Sequence, residues 1–256
     1  MSPQIFTSII NGYLPEPHAS LLNGIIFGIP LSSSGQFYQQ LKVVGLLHLV
    51  VLSGINITLL AAIISSLTGF LGKQISILIT ILMIILFVLF VGPQAPIVRA
   101  GIMGILTFVA VLYNRRTYAF YSLFLSLLII FIFFRSWITT ISLQLSYAAT
   151  FGLIIFSGKK GNPVFDEIKT SLAAQVFTTP LIFLYFRQIS LISPLANLFV
   201  SFLIAPLMIF GFITAIFGKI HLSLGIIPAY ICYGLLSYIV FIVRILSKLP
   251  FAYFKF

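Results

Sequence analysis

The sequence predicts an all-α, polytopic transmembrane helical bundle of about eight spans, with a short N-terminal helix that is interfacial or re-entrant. Hydrophobic residues make up 61% of the 256-residue chain and charged residues only 7%, and the mean hydropathy is +1.21. A soluble domain carries about a quarter charged residues, so most of this surface must face lipid. The apolar runs are continuous rather than alternating, which favours helices over a β-barrel.

The region before the first span is divided into three segments. Residues 1–16 form a short polar lead, residues 19–29 are apolar but too short to cross a bilayer, and residues 30–40 form a loop. The apolar segment is therefore the expected interfacial or re-entrant helix. The lead lacks a basic region followed by a long apolar core, so we do not expect a cleavable signal peptide, and the first span would act as the targeting signal.

Eight apolar stretches follow, each long enough to cross the bilayer as a helix of roughly 20 residues. Turns rich in glycine, proline and basic residues separate them, and they cover residues 43–70, 75–92, 98–114, 117–134, 138–157, 169–186, 190–217 and 222–247. The longest hydrophilic loop is expected at about residues 158–169. The 14 Lys and Arg residues divide seven against seven between the two sides. If Arg99 lies inside the protein, this balance slightly favours odd-numbered loops in the cytoplasm and both termini outside.

The chain has a net charge of +11, because 14 Lys and Arg residues face only three acidic residues, Glu16, Asp166 and Glu167. Two explanations fit this excess. Membrane proteins commonly place Lys and Arg in cytoplasmic loops and opposite lipid headgroups. Alternatively, a polyanionic cargo would attract the same charges through its phosphates.

The first span contains the densest group of polar residues. His48, Ser53, Asn56 and Thr58 lie within three helical turns, although a polar group in hydrocarbon costs a few kcal/mol unless it faces a partner or water. Ser53 and Gly54 also offer a point where the helix can break, as transporter helices do around their sites. Helix–helix packing through hydrogen bonds and small residues is the alternative explanation.

Arg99 lies at the mouth of the third span, after two prolines that suit the first turn of a helix. A cation near a helix start opposes the helix dipole, so Arg99 needs a partner: a buried carbonyl, a carboxylate or an anionic cargo. Its planar donors suit phosphate.

Further polar residues lie in the fifth span, Gln144 and Ser146, and in the sixth, Gln175. Small-residue packing is the alternative there, but a buried amide such as Gln144 needs several partners.

The sequence lacks the patterns of several enzyme classes. It contains no GxxxxGK[ST] phosphate-binding loop, so no built-in ATP motor is expected. Its histidines, His18, His48 and His221, are widely separated and its acids are few, so we expect no metal site and no cofactor. A Ser–His hydrolase built from His48 and Ser53 is disfavoured because the two lie about 140° apart on an unbroken helix. Cys232 is the only cysteine, so no intrachain disulfide can form. We therefore expect a protein that is not an enzyme.

Five sequence blocks cover nearly the whole chain: Leu14 to Gly28, Gly45 to Ile57, Pro96 to Met103, Ser142 to Gly152 and Gln175 to Leu207. Their order resembles the membrane channel domain of the ComEC-type competence proteins. The corresponding family patterns are, in turn, the domain's opening, GLxHLLAxSGxHV, PxxRAxxM, SFQLSFxATxG and QxxTxPLxxxxFxxxSxxSPxANLxxxP. Asn56 departs from the pattern, since many members have histidine at this position. Asparagine preserves a polar contact there but no pH dependence.

The resemblance implies a multi-pass channel for single-stranded DNA across the cytoplasmic membrane during natural transformation. The residues expected to line the DNA path are His48, Ser53, Gly54, Asn56, Arg99, Gln144, Ser146 and Gln175. The family usually also has an oligonucleotide-binding-like domain and a metallo-β-lactamase-like nuclease domain. Neither is present here, so residues 1–256 are expected to form a single competence-type transmembrane domain. The expected partners besides DNA and the lipid bilayer are a separate nuclease, a DNA receptor protein and a cytoplasmic motor.

Two other functions remain open at this point. One is a small-molecule or ion transporter on an unrelated helical fold, because the composition and the polar group in the first span fit it equally well. The other is a membrane scaffold for a separate nuclease. Only the order of the motifs argues against the transporter, and co-purification with a nuclease would identify the scaffold.

Overall fold

A computed structural model describes residues 3–31, 35–47, 54–156, 163–190, 192–249 and 253–255. The predicted all-helical membrane fold is confirmed. The helices are α1 Gln4–Tyr13, α2 His18–Phe27, α3 Gln36–Val44, α4 Gly54–Thr68, α5 Lys73–Val91, α6 Ala95–Leu112, α7 Ala119–Phe133, α8 Ile141–Phe156, α9 Pro163–Phe186, α10 Ser193–Ile220 and α11 Leu222–Leu246. Short 3₁₀ turns occupy Gly69–Leu71 and Arg135–Trp137. Two strands of three residues, β1 Gln188–Ser190 and β2 Tyr253–Lys255, pair antiparallel, a feature that the sequence did not predict.

Four of the described helices, α5, α6, α10 and α11, are long and apolar enough to cross a membrane. Shorter apolar helices occupy His18–Phe27, Asn56–Leu71, Ala119–Phe133 and Ile141–Phe156. Large apolar side chains point away from the protein, for example Phe133, which is 73% exposed. Such an exterior fits lipid as the surrounding solvent. The figure of eight spans stays a prediction.

Several predicted boundaries are wrong near the N-terminus. The polar lead contains helix α1, and residues 36–40 of the predicted loop belong to α3. The first span does not begin at residue 43, because α3 ends at Val44 and Gly45 adopts a left-handed conformation with φ of 79°. Later in the chain, α9 begins at Pro163, inside the loop predicted at 158–169.

The described residues group into two compact units. The first unit contains residues 1–52, 159–172 and 182–256, and the second contains residues 53–158 and 173–181. In the first unit, α10 and α11 form a long hairpin that also contacts α1 and α2. Eight of the ten residues of α2 are buried, as expected for a helix that is apolar on all sides. Whether this helix is interfacial or re-entrant stays a prediction.

The second unit is built from α4 to α8 and a part of α9. A Cβ atom added to Gly54 would lie against Arg99 and Ala100, and one added to Gly104 would lie near Ile57, so α4 and α6 run parallel. Neighbouring helices α5 and α7 run in the opposite direction. The core of the unit includes Ala95, Ile130 and Leu143 from α6, α7 and α8. Gly54 and the starts of α6 and α8 therefore lie at the same end of the unit.

Candidate functional site

Six of the predicted path residues are described, and all six belong to the second unit. They are Gly54 and Asn56 on α4, Arg99 on α6, Gln144 and Ser146 on α8, and Gln175 on α9. His48 and Ser53 lie outside the described residues. Residues from four helices that are far apart in sequence are thus assembled in one compact unit, although their roles stay predictions.

Gly54, the first described residue of α4, meets Arg99 near the start of α6. A methyl group placed on Gly54 would lie 2.9 Å from Nη2 of Arg99 and 3.2 Å from Cβ of Ala100. The absence of a side chain at Gly54 therefore lets the guanidinium approach the backbone of α4. Ser53 lies outside the described residues, so the helix break suggested at residues 53 and 54 stays a prediction.

Arg99 is almost completely buried, with 6% of its side chain exposed. Its Nη1 donates a hydrogen bond to the hydroxyl of Thr150 on α8 and lies 4.0 Å from the sulfur of Met103. The guanidinium carbon is 5.7 Å from the centre of the Tyr147 ring, within the range of a cation–π interaction. Its Nε has no hydrogen-bond acceptor among the described residues.

No acidic residue can balance the charge of Arg99 within its unit. The three acids, Glu16, Asp166 and Glu167, all fall outside residues 53–158 and 173–181. The described partners of Arg99 are a hydroxyl, a thioether and an aromatic ring, all of which are neutral. A buried charge is normally paired, because removing it from water costs several kcal/mol. Arg99 therefore gives the interior of this unit a positive charge without a matching carboxylate.

Two residues on α8 connect Arg99 to the rest of the unit. The Thr150 hydroxyl, which accepts from Arg99, donates to the carbonyl oxygen of Ser146 at 2.9 Å. The Tyr147 hydroxyl lies 2.9 Å from the hydroxyl of Ser126 on α7. The sequence analysis did not select Thr150 or Tyr147 as site residues. The signal that could have found them was the need of Arg99 for a partner.

The remaining path residues lie in different surroundings. Asn56 is 2% exposed, and Gln175 is half-buried. Gln144 donates from Nε2 to the carbonyl oxygen of Ile138 at 3.3 Å. None of these three residues is a described contact of Arg99.

An open groove of about 410 Å³ lies between α7 and α8. Gln144 and Tyr147 contribute to its walls, but the other lining residues, such as Phe120, Phe124 and Phe151, are apolar. Arg99 does not line this groove. The groove therefore has the character of a lipid-facing surface rather than of a basic channel.

Comparison with known proteins identifies relatives over most of the sequence. A family model described as "Competence protein" matches residues 25–256. The chain is also similar to ComE operon protein 3 from Bacillus subtilis (strain 168), with 26% identity over 235 residues. The alignment covers 84% of this chain but 30% of that relative, so the chain spans less than a third of the relative's length. No solved structure matches the chain significantly.

Proposed function

Because this chain belongs to the competence protein family, we propose that it acts in DNA uptake and that its second unit lines part of a path for single-stranded DNA across the cytoplasmic membrane. In this proposal the chain is a passive conduit without a catalytic step. Another component, such as a cytoplasmic motor or a protein that captures the strand, supplies the driving force. A separate nuclease degrades the other strand, and a DNA receptor delivers the substrate.

The observation that carries the proposal is the buried Arg99 in a unit without acids. Paths for protons and metal cations usually contain Asp or Glu, because a carboxylate offsets the charge of the ion. The second unit offers hydroxyls, amides and one buried guanidinium instead. Such an interior repels cations and attracts anions, and each nucleotide of a DNA strand carries one negative phosphate.

The proposal predicts that Arg99→Ala lowers DNA passage much more than it lowers folding. In a strain that carries the variant in place of the wild-type chain, we expect transformation frequency to fall at least about tenfold, because a charge-assisted hydrogen bond contributes about 1.5–3 kcal/mol. Surface binding of labelled DNA and the amount of membrane-inserted protein should stay near the wild-type level.

The matched control is Arg116→Ala, which removes the same charge from an exposed loop. Screening by salt makes an exposed charge far less influential than a buried one, so this variant should transform almost normally. Equal loss of folding and of passage in Arg99→Ala would assign Arg99 to structure. Purified protein in liposomes gives the direct test: flux of a labelled oligonucleotide supports the conduit, whereas flux of small solutes alone would favour a small-molecule transporter.

A further inference from the structure

The groove between α7 and α8 is too narrow to hold a protein helix. Most of its lining residues belong to residues 120–127 of α7 and 143–151 of α8, which gives it a length of about 12 Å at the helical rise per residue. A volume of about 410 Å³ over that length corresponds to a mean width of about 7 Å. A helix with its side chains is about 10–12 Å wide. A hydrocarbon chain is little wider than the separation of two touching carbon atoms, about 4 Å, so one such chain fits.

The polar residues in the walls of the groove have partners within the protein. Gln144 donates from Nε2 to the carbonyl oxygen of Ile138 at 3.3 Å, and the Tyr147 hydroxyl lies 2.9 Å from the hydroxyl of Ser126. The other lining residues are apolar. An occupant of the groove is therefore stabilised by apolar contact along its length, and it needs no hydrogen-bonding groups there.

A cation lies at one end of the groove. The lining residues of α7 share one face of this helix, and Phe131 continues that face one turn beyond Leu127. The guanidinium carbon of Arg135 lies 5.6 Å from the centre of the Phe131 ring, within the range of a cation–π interaction. Arg135 is exposed, and none of the three acidic residues of the chain belongs to its unit. The groove thus joins an apolar surface to an exposed positive charge.

We propose that the groove binds one acyl chain of an anionic phospholipid whose headgroup is bound by Arg135. Arginine and tryptophan are typical of the depth at which lipid headgroups lie, and Trp137 shares the 3₁₀ turn of Arg135. The planar guanidinium binds two oxygens of a phosphate group. Phosphatidylglycerol suits this site better than phosphatidylcholine, because the choline cation is repelled by Arg135. The inference concerns the lipid-facing side of the second unit and does not depend on the proposed function.

The test uses the full chain reconstituted in phosphatidylcholine vesicles that contain an increasing fraction of phosphatidylglycerol with brominated acyl chains. Bromine quenches tryptophan fluorescence on contact, and Trp137, the only tryptophan, packs against the core cluster that includes Leu143 of the groove wall. We expect the quenching to saturate at a low fraction of brominated phosphatidylglycerol. Brominated phosphatidylcholine should bind about fivefold more weakly, which is the contribution of one arginine at an anionic membrane surface.

Two variants separate the headgroup from the acyl chain. Arg135→Gln should lose the preference for phosphatidylglycerol over phosphatidylcholine. Ala148→Phe places a ring inside the groove and should weaken the saturable binding at least about tenfold, because the lipid then loses contact for two or more methylene groups. Ala148→Leu repeats the measurement with a smaller side chain if the phenylalanine variant does not fold.

The matched controls are Arg115→Gln and Ala62→Phe, which make the same changes at exposed positions of the second unit outside the groove. Both should bind lipid like the wild type, and thermal unfolding of each variant shows whether the fold is kept. The proposal is overturned if the quenching does not saturate, if the folded Ala148 variants bind like the wild type, or if Arg135→Gln keeps the preference for phosphatidylglycerol. It is also overturned if Ala148→Phe changes the oligomeric mass and leaves lipid binding unchanged, because a second copy of the chain would then occupy the groove.

Discussion

Replacing Arg99 by methionine separates the two roles that a buried arginine can have. Methionine keeps most of the volume of the side chain and removes only the charge and the donors. The substitution removes the hydrogen bond to Thr150, which stabilises the folded state by about 1.5–3 kcal/mol. It also removes the contact with the Tyr147 ring, which contributes about 0.5–2 kcal/mol. In the other direction, the substitution removes a buried charge that has no counter-charge, and the burial of such a charge destabilises the folded state by several kcal/mol.

These contributions nearly cancel, so we expect Arg99→Met to change the free energy of unfolding by less than about 2 kcal/mol, and a small increase in stability is within this range. DNA passage, in contrast, should fall at least about tenfold, because the site then offers no donor to a phosphate. A structural arginine would show the opposite pattern, with stability lost first and passage lost in proportion.

Fluorescence of Trp137 can follow unfolding, because it is the only tryptophan in the chain. Its ring stacks on Phe134 with centroids 4.4 Å apart, and both pack against the core of the second unit together with Tyr147. Chemical or thermal unfolding in detergent therefore reports on the unit that contains Arg99. A loss of stability above about 3 kcal/mol in Arg99→Met would refute the reasoning, because it would show that a counter-charge balances the arginine.

Gly152→Ala should destabilise the second unit by about 1–3 kcal/mol, because the added methyl group would overlap the backbone carbonyl of Ala173, which cannot move aside. Gly104→Ala, whose methyl group would meet its nearest neighbour at 3.6 Å, should be nearly neutral in the same unfolding assay. The end of the second unit that holds Arg116 is the more basic one, so Arg116→Cys should react with an impermeant maleimide only from the cytoplasmic side. Ser136→Cys, at the other end, should react only from outside, and the reverse pattern would invert the orientation.

The membrane fold could be predicted from the sequence because it depends on composition. A long, continuously apolar segment is stable in lipid as an α-helix, because the helix satisfies its own backbone hydrogen bonds. The sequence therefore located α10 and α11 to within a few residues. Helices α1 and α3 were missed because they are short and partly polar, and tertiary contacts stabilise them. One such contact is the hydrogen bond from the Tyr13 hydroxyl to the carbonyl oxygen of Leu222, at 2.6 Å. The two three-residue strands lie in distant parts of the sequence, and each is too short to show the alternation of apolar and polar residues that identifies a strand.

The candidate site could be predicted only in part. The order of motifs selected Gly54 and Arg99, and the structure brings them into contact. The sequence left a carboxylate open as one of three partners for Arg99, and its described contacts are all neutral. Its contacts with Thr150 and Tyr147 could not be derived, because 51 positions separate Arg99 from Thr150 and helix packing alone brings them together.

The buried polar groups of the first unit show why Arg99 differs from ordinary helix packing. There, Asn23 donates to Asn11 at 2.7 Å, and Asn197 donates to Ser171 at 2.9 Å. Each pair is neutral, so an unmet hydrogen bond costs about 1–3 kcal/mol and can be tolerated for the sake of packing. An unbalanced charge costs more, and it could be removed by a single substitution to methionine without loss of volume. Under the proposed function, the phosphates of a DNA strand would supply the counter-charge that this acid-free unit lacks.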